Sequence, residues 1–194
     1  MDNSFAALKA AAAVPNQYWH FGLPCDSFSI LNVNLNHGTR SHLCPQGDGT
    51  LARETRGNEI MRRVVKLINL LEKAGNKWSI ENPLSSYIFR QPEIIGLMQR
   101  PTTISVVFDQ CMYGLTFPDA PVGSYCRKTS RILSNLAELE RLHVRCDGSH
   151  EHIHAIGGYR DESGWHKRAK AAGAYPSGLC AKWAKICRAC HHGI

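Results

Sequence analysis

The sequence predicts an α/β fold with a mostly parallel sheet. Strand-like and helix-like segments alternate over the first two thirds of the chain, in the order strand, long loop, helix, strand, helix, strand. The strand-like segments are short apolar runs ended by turn residues, and the first helix-like segment carries a regular apolar stripe. A chain of 194 residues suits one domain, whose single core needs no disulfide or metal staple.

Residues 1–17 contain FAALKAAAAV, an apolar stretch about half the length of a membrane span. Lys9 interrupts it and no basic segment precedes it, so neither a signal peptide nor a membrane segment is expected. We read 1–17 as a leader or the remnant of an upstream helix. YWHFGL opens the core as a strand and runs into Pro24-Cys25, where proline fixes the backbone at the point of presentation. Residues 32–57 have turn chemistry throughout and predict a long loop. From Asn58, Ile60, Val64, Leu67, Ile68 and Leu71 share one helical face, and Gly75 marks the stop. KWSIEN predicts a strand ended by Pro83, PEIIGLMQR a helix begun by Pro92, and TTISVVFDQC a buried strand. The core so read spans 18–136. Residues 137–194 form a polar, His- and Cys-rich segment that closes on the helical stretch SGLCAKWAKICRAC.

Charge and cysteines narrow the class of partner and compartment. There are 23 Lys and Arg against 16 Asp and Glu, a formal net charge of +7 that favours polyanions such as DNA. The eight cysteines, without an export signal, predict a reducing intracellular compartment, nucleus or cytoplasm, where they are buried, metal-bound or catalytic. Cys146, His150, His152 and His154 lie close together, and Cys187, Cys190, His191 and His192 crowd the far end. Thiolate and imidazole at these spacings suit tetrahedral zinc, and Cys146, His150 and His152 are the candidate ligands. A metal tying the last helix to the segment after Asn135 is one arrangement. In α/β sheets, functional groups gather beyond the carboxyl ends of strands, and Cys25 and Glu81 both stand there.

PCDSFS, residues 24–29, resembles the Pro-Cys loop of the cytosine-5 DNA methyltransferases. IENP at 80–83 resembles that family's Glu-Asn signature, with Pro in place of the usual Val. Tyr113-Gly114 followed by YCRKTSRIL resembles its Tyr-Gly and arginine segment. The order Lys128-Thr129, Asn135, Cys146, His150, His152, Tyr175-Pro176 and Leu179 is closer still to short methylase-like proteins of phages and mobile elements. The resemblance implies a partial class I, Rossmann-like methyltransferase sheet acting on DNA with S-adenosylmethionine. It implies that Cys25 is the thiolate that adds to carbon 6 of cytosine and that Glu81 is the acid-base partner at ring nitrogen 3. Asn82 is implied to fix the loop, and Ser29, Arg127 and Arg131 to bind the substrate.

The family binds its cofactor through an early strand and a glycine-rich turn, and nothing ahead of Cys25 supplies them. Tyr125 also stands where Gln is usual. The expectation is therefore a truncated or degenerate copy that does not hold S-adenosylmethionine fully on its own, with an unpaired sheet edge beside YWHFGL. The alternative is a non-catalytic, basic nucleic-acid-binding protein with a structural zinc.

Overall fold

The computed structural model describes residues 3–191. The chain is mixed α/β and divides into two compact units, one formed by residues 1–105 and 131–137, the other by 106–130 and 138–194. No helix among the described residues is long and apolar enough to cross a membrane.

In the first unit, helix α1 (Asn3–Ala12) leads to strand β1 (Tyr18–Gly22) and a short helix α2 (Ile30–Leu35). Helix α3 (Ala52–Lys73) is the longest, followed by β2 (Lys77–Pro83) and α4 (Pro92–Met98). Four residues of the predicted apolar face of α3, Val64, Leu67, Ile68 and Leu71, are buried and pack with Trp78 and Ile80 of β2, Ile94 and Leu97 of α4, and Phe28; Met61, outside the predicted set, is buried with them, while Ile60 is only partly buried. Residues 32–57 are not one long loop. Their start continues α2, and α3 begins at Ala52 rather than Asn58, because Glu54, Gly57 and Asn58 turn inward and are buried by the preceding segment. Gly75, at φ 74°, ends α3 as predicted.

Strand β3 (Ile104–Asp109) and strand β5 (Thr129–Ser134) complete a small four-stranded mixed sheet in the order β1, β2, β5, β3. The order is not the chain order, so β5 comes to lie between β2 and β3. β1 and β2 are parallel, with Tyr18 opposite Lys77 and Gly22 opposite Glu81, and β1 stands at the sheet edge. Neighbouring parallel strands that end together put both of their exit loops at one end.

The second unit holds β4 (Ser124–Cys126) paired in parallel with β6 (Glu151–Ile153), and the hairpin β7 (Gly158–Asp161) and β8 (Gly164–Lys167). Helices α5 (Arg168–Ala171) and α6 (Ser177–His191) follow. A small core of Leu115, Phe117, Cys126 and Ala172 holds this part together. The polar segment after Leu136 therefore contains strands that its composition did not predict, and the final helix is where expected.

His20, in β1, carries a pH dependence. Its Nδ1 lies 2.8 Å from Ser79 Oγ, which also bonds the Tyr18 hydroxyl. Burial pushes the His20 imidazole down to about 4. The unfolded chain, with its histidine near 6.5, binds the proton more tightly over the interval between these values. The contribution is thus intact above about pH 6.5 and is lost as the pH falls toward about 4, to a total of up to about 3 kcal/mol. Urea midpoints measured across this range should fall with acid in the native chain, and the slope should shrink in His20→Gln. An equal slope in both would remove His20 as the cause.

Candidate functional site

β1 ends at Gly22, and the loop beyond it turns back through Cys25, whose carbonyl accepts from the backbone N–H of Phe28 at 3.2 Å and of Ser29 at 2.8 Å. Cys25 is half-buried and outside any disulfide. At the end of β2, Glu81 and Asn82 are buried, at 5% and 1% exposed. Asn82 Nδ2 donates to Leu23 O at 2.9 Å and to Glu81 O at 3.1 Å. One amide thus ties the loop that presents Cys25 to the strand end that presents Glu81. The Asn82 Oδ1 atom is buried and has no hydrogen-bond partner among the described residues.

A guanidinium that sequence reading passed over holds the same loop. Arg40 is 2% exposed, stacks over Phe28 at 4.0 Å, and donates to Ser27 O at 2.7 Å, Pro45 O at 2.6 Å, Asn58 Oδ1 at 2.9 Å and Glu54 O at 3.1 Å. Burial lowers its pKa, while the facing Glu54 carboxylate opposes that. Glu54 is itself buried and accepts from Thr39 N and Oγ1. The loop sits close on α3: a Cβ added to Gly57 would stand 2.3 Å from Ser27 Oγ, so a larger residue there would displace the Ser27 side chain. No pattern in the sequence marks Arg40, which stands alone in a polar stretch.

Ser29 is half-buried and its carbonyl accepts from Val33 N at the start of α2. Arg131, on β5, is half-buried with its guanidinium 5.1 Å from the Phe89 ring centre, and its buried Nε has no acceptor among the described residues. Burial lowers its pKa. Arg127 is exposed, in the second unit between β4 and β5.

The second unit gathers a separate group. One ligand atom each from Cys111, Cys146, His150 and His152 lies within 4.8 Å of every other, so this set can hold a metal ion. Cys146 Sγ is 3.7 Å from His150 Nε2 and 3.4 Å from His152 Nε2. Cys111 sits in the turn Gln110–Tyr113 directly after β3, and β6 carries His152. Asp109, the last residue of β3, accepts from Cys146 N at 2.8 Å, from Arg145 Nε at 2.9 Å and from Thr129 Oγ1, which fixes the approach of Cys146 to Cys111. Burial alone would raise the Asp109 carboxyl, but these bonds outweigh it and leave it below the usual carboxylate range. Burial, reinforced by the Cys146 thiol and then by Asp109, pushes the Cys111 thiol up to about 12.

The sequence identified Cys146, His150 and His152 and missed Cys111. Its only signal was a cysteine just past a buried strand. His154 is exposed and stands outside the group, as do Cys187 and Cys190 on α6. His192 lies outside the described residues, as does the side chain of His191. The metal-capable set thus joins the turn after β3 to β6, in place of the expected tie to the last helix. Compared with known proteins, the chain matches no family model, no curated protein and no solved structure.

Proposed function

We propose that this chain is a cytosine-5 DNA methyltransferase-like protein that supplies the base-activating half of the reaction, with DNA as partner and S-adenosylmethionine as the methyl source. The observation that supports it most is the Asn82 amide at Leu23 O, which couples the Cys25 loop to the Glu81 strand end. Carbon 5 of cytosine is a poor nucleophile. The Cys25 thiolate adds to carbon 6, and Glu81 gives a proton to ring nitrogen 3, so the ring becomes an enamine whose carbon 5 accepts an electrophile. Loss of the carbon 5 proton and return of the nitrogen 3 proton to Glu81 then expel the thiolate. Arg131 supplies positive charge to the pyrimidine carbonyl, and Ser29 lines the substrate side. In a duplex the base must leave the stack.

The residues present do not make a whole site for S-adenosylmethionine. No strand among the described residues is followed by a Gly-x-Gly turn opening a helix, and the buried carboxylate at the β2 end is taken by the base.

Exchange of the cytosine carbon 5 hydrogen tests this reading directly, because thiolate addition makes that carbon basic without any methyl donor. In heavy water with single-stranded DNA, the chain should incorporate deuterium at carbon 5. Cys25→Ser should abolish the exchange, since a hydroxyl is far less ionised than a thiol near neutral pH. Glu81→Gln should slow it by about a hundredfold or more. Exchange that survives Cys25→Ser, or none at all in the native chain, overturns the proposal. DNA binding without exchange would favour the second reading, a basic nucleic-acid module, whose support is the Cys/His group of the second unit.

A further inference from the structure

We propose that Cys111, Cys146, His150 and His152 form a closed, four-ligand structural zinc site. The inference is independent of the methyltransferase reading and uses none of its residues. Four soft or borderline ligands, two thiolates and two imidazoles, match the preference of zinc, and four protein ligands leave no open position for a reacting water.

The spacing is that of a coordination sphere. With zinc to sulfur near 2.3 Å and zinc to nitrogen near 2.05 Å, a tetrahedral centre sets each sulfur about 3.6 Å from each nitrogen. The Cys146 distances of 3.7 and 3.4 Å to the two imidazole nitrogens bracket that value. Both histidines offer Nε2, and their rings stand nearly perpendicular, at 80°, with centres 4.8 Å apart, so their nitrogens converge without stacking.

The surroundings support the ligands in the way metal sites require. Gly148 N–H donates to Cys146 Sγ at 3.4 Å, which helps fix the position of the sulfur. The Tyr125 ring meets the His150 ring edge-on at 4.9 Å and limits its rotation. Asp109 holds the Cys146 backbone. Binding would take up one Zn²⁺ and release one proton from each of the two thiols to solvent. It would cross-link the turn after β3 to the β4–β6 pair, in a unit whose own apolar core is small.

The full chain, purified without an affinity tag in the presence of zinc, should carry about one equivalent of zinc, and a chelator should lower its melting temperature. Cobalt in place of zinc should give the intense visible bands of a tetrahedral ion with thiolate charge transfer. Cys111→Ser should fall below about a tenth of an equivalent, whereas Cys44→Ser, at an exposed cysteine outside the group, should keep the metal. Because Cys111→Ser can lose metal by failing to fold, His150→Cys provides the second arm: it should still bind cobalt, with stronger charge transfer from a third thiolate. Less than a tenth of an equivalent in the native chain, the pale spectrum of octahedral cobalt, or metal retained by Cys111→Ser each overturns the assignment.

Discussion

Arg40→Ala should destabilise the chain by about 3–5 kcal/mol, the usual cost of removing one member of a buried charged group. The guanidinium satisfies the Ser27, Pro45 and Glu54 carbonyls and the Asn58 side chain at once, and it faces the buried Glu54 carboxylate. Alanine removes the guanidinium donor from each of these acceptors, of which Pro45 O keeps the Gln91 amide, and leaves Glu54 without its countercharge in a buried place. For a chain of this length the loss corresponds to a fall in melting temperature of roughly 10 °C. Arg40→Lys keeps the charge but not the planar fork, so it cannot reach Ser27 and Asn58 together. It should fold, with a smaller loss of stability, and should slow cytosine exchange because Ser27 belongs to the loop that presents Cys25. Urea and thermal melts of both variants check this. A loss below about 1 kcal/mol for Arg40→Ala would show that water replaces the guanidinium and that the loop is held by other contacts.

Trp78→Ala should cost a similar amount, about 3–5 kcal/mol, for a different reason. Trp78 is wholly buried in the middle of the first unit's core. Its removal leaves a cavity that the surrounding Leu, Ile and Met side chains of α3 can fill only in part. Its indole Nε1 also donates to Glu72 Oε1 at 2.9 Å, and Glu72 pairs with Arg100. Trp78→Phe keeps most of the volume and loses that hydrogen bond, so it should cost about 1–2 kcal/mol. The ratio of the two losses, read from urea melts, separates packing from hydrogen bonding. Equal losses would mean that the bond to Glu72, rather than ring volume, sets the contribution of Trp78.

The elements that could be read from sequence are those whose evidence is local. The stripe from Ile60 to Leu71 repeats along one segment, and a helix must bury such a stripe wherever it packs. Pro92 and Gly75 act on their own backbones and so mark helix boundaries. Cys25 and Glu81 could be placed at strand ends by the turn residues beside them, and Cys146, His150 and His152 could be grouped because their spacing alone brings them within reach.

Other features depend on partners distant in the chain. Helix α3 starts at Ala52 because Glu54 and Asn58 bond to Thr39, Arg40 and Gln46, and no periodicity in 52–57 carries that information. The burial of a lone arginine depends on acceptors supplied by three separate stretches. Cys111 meets Cys146 because the end of β3 pairs with the later segment, through the Phe108–Val144 bridge and the bond from Cys146 N to Asp109. That β5 lies between β2 and β3, and that segment 106–130 packs with the carboxyl-terminal third, follow from sheet pairing. By itself, the sequence determined the buried stripe and the stop of α3, helix α4, the two strand ends with Cys25 and Glu81, and three metal-capable residues. Only tertiary structure decided the fourth, the Arg40 anchor and the strand order, because backbone pairing and buried hydrogen bonds join residues whose separation leaves no repeat to detect.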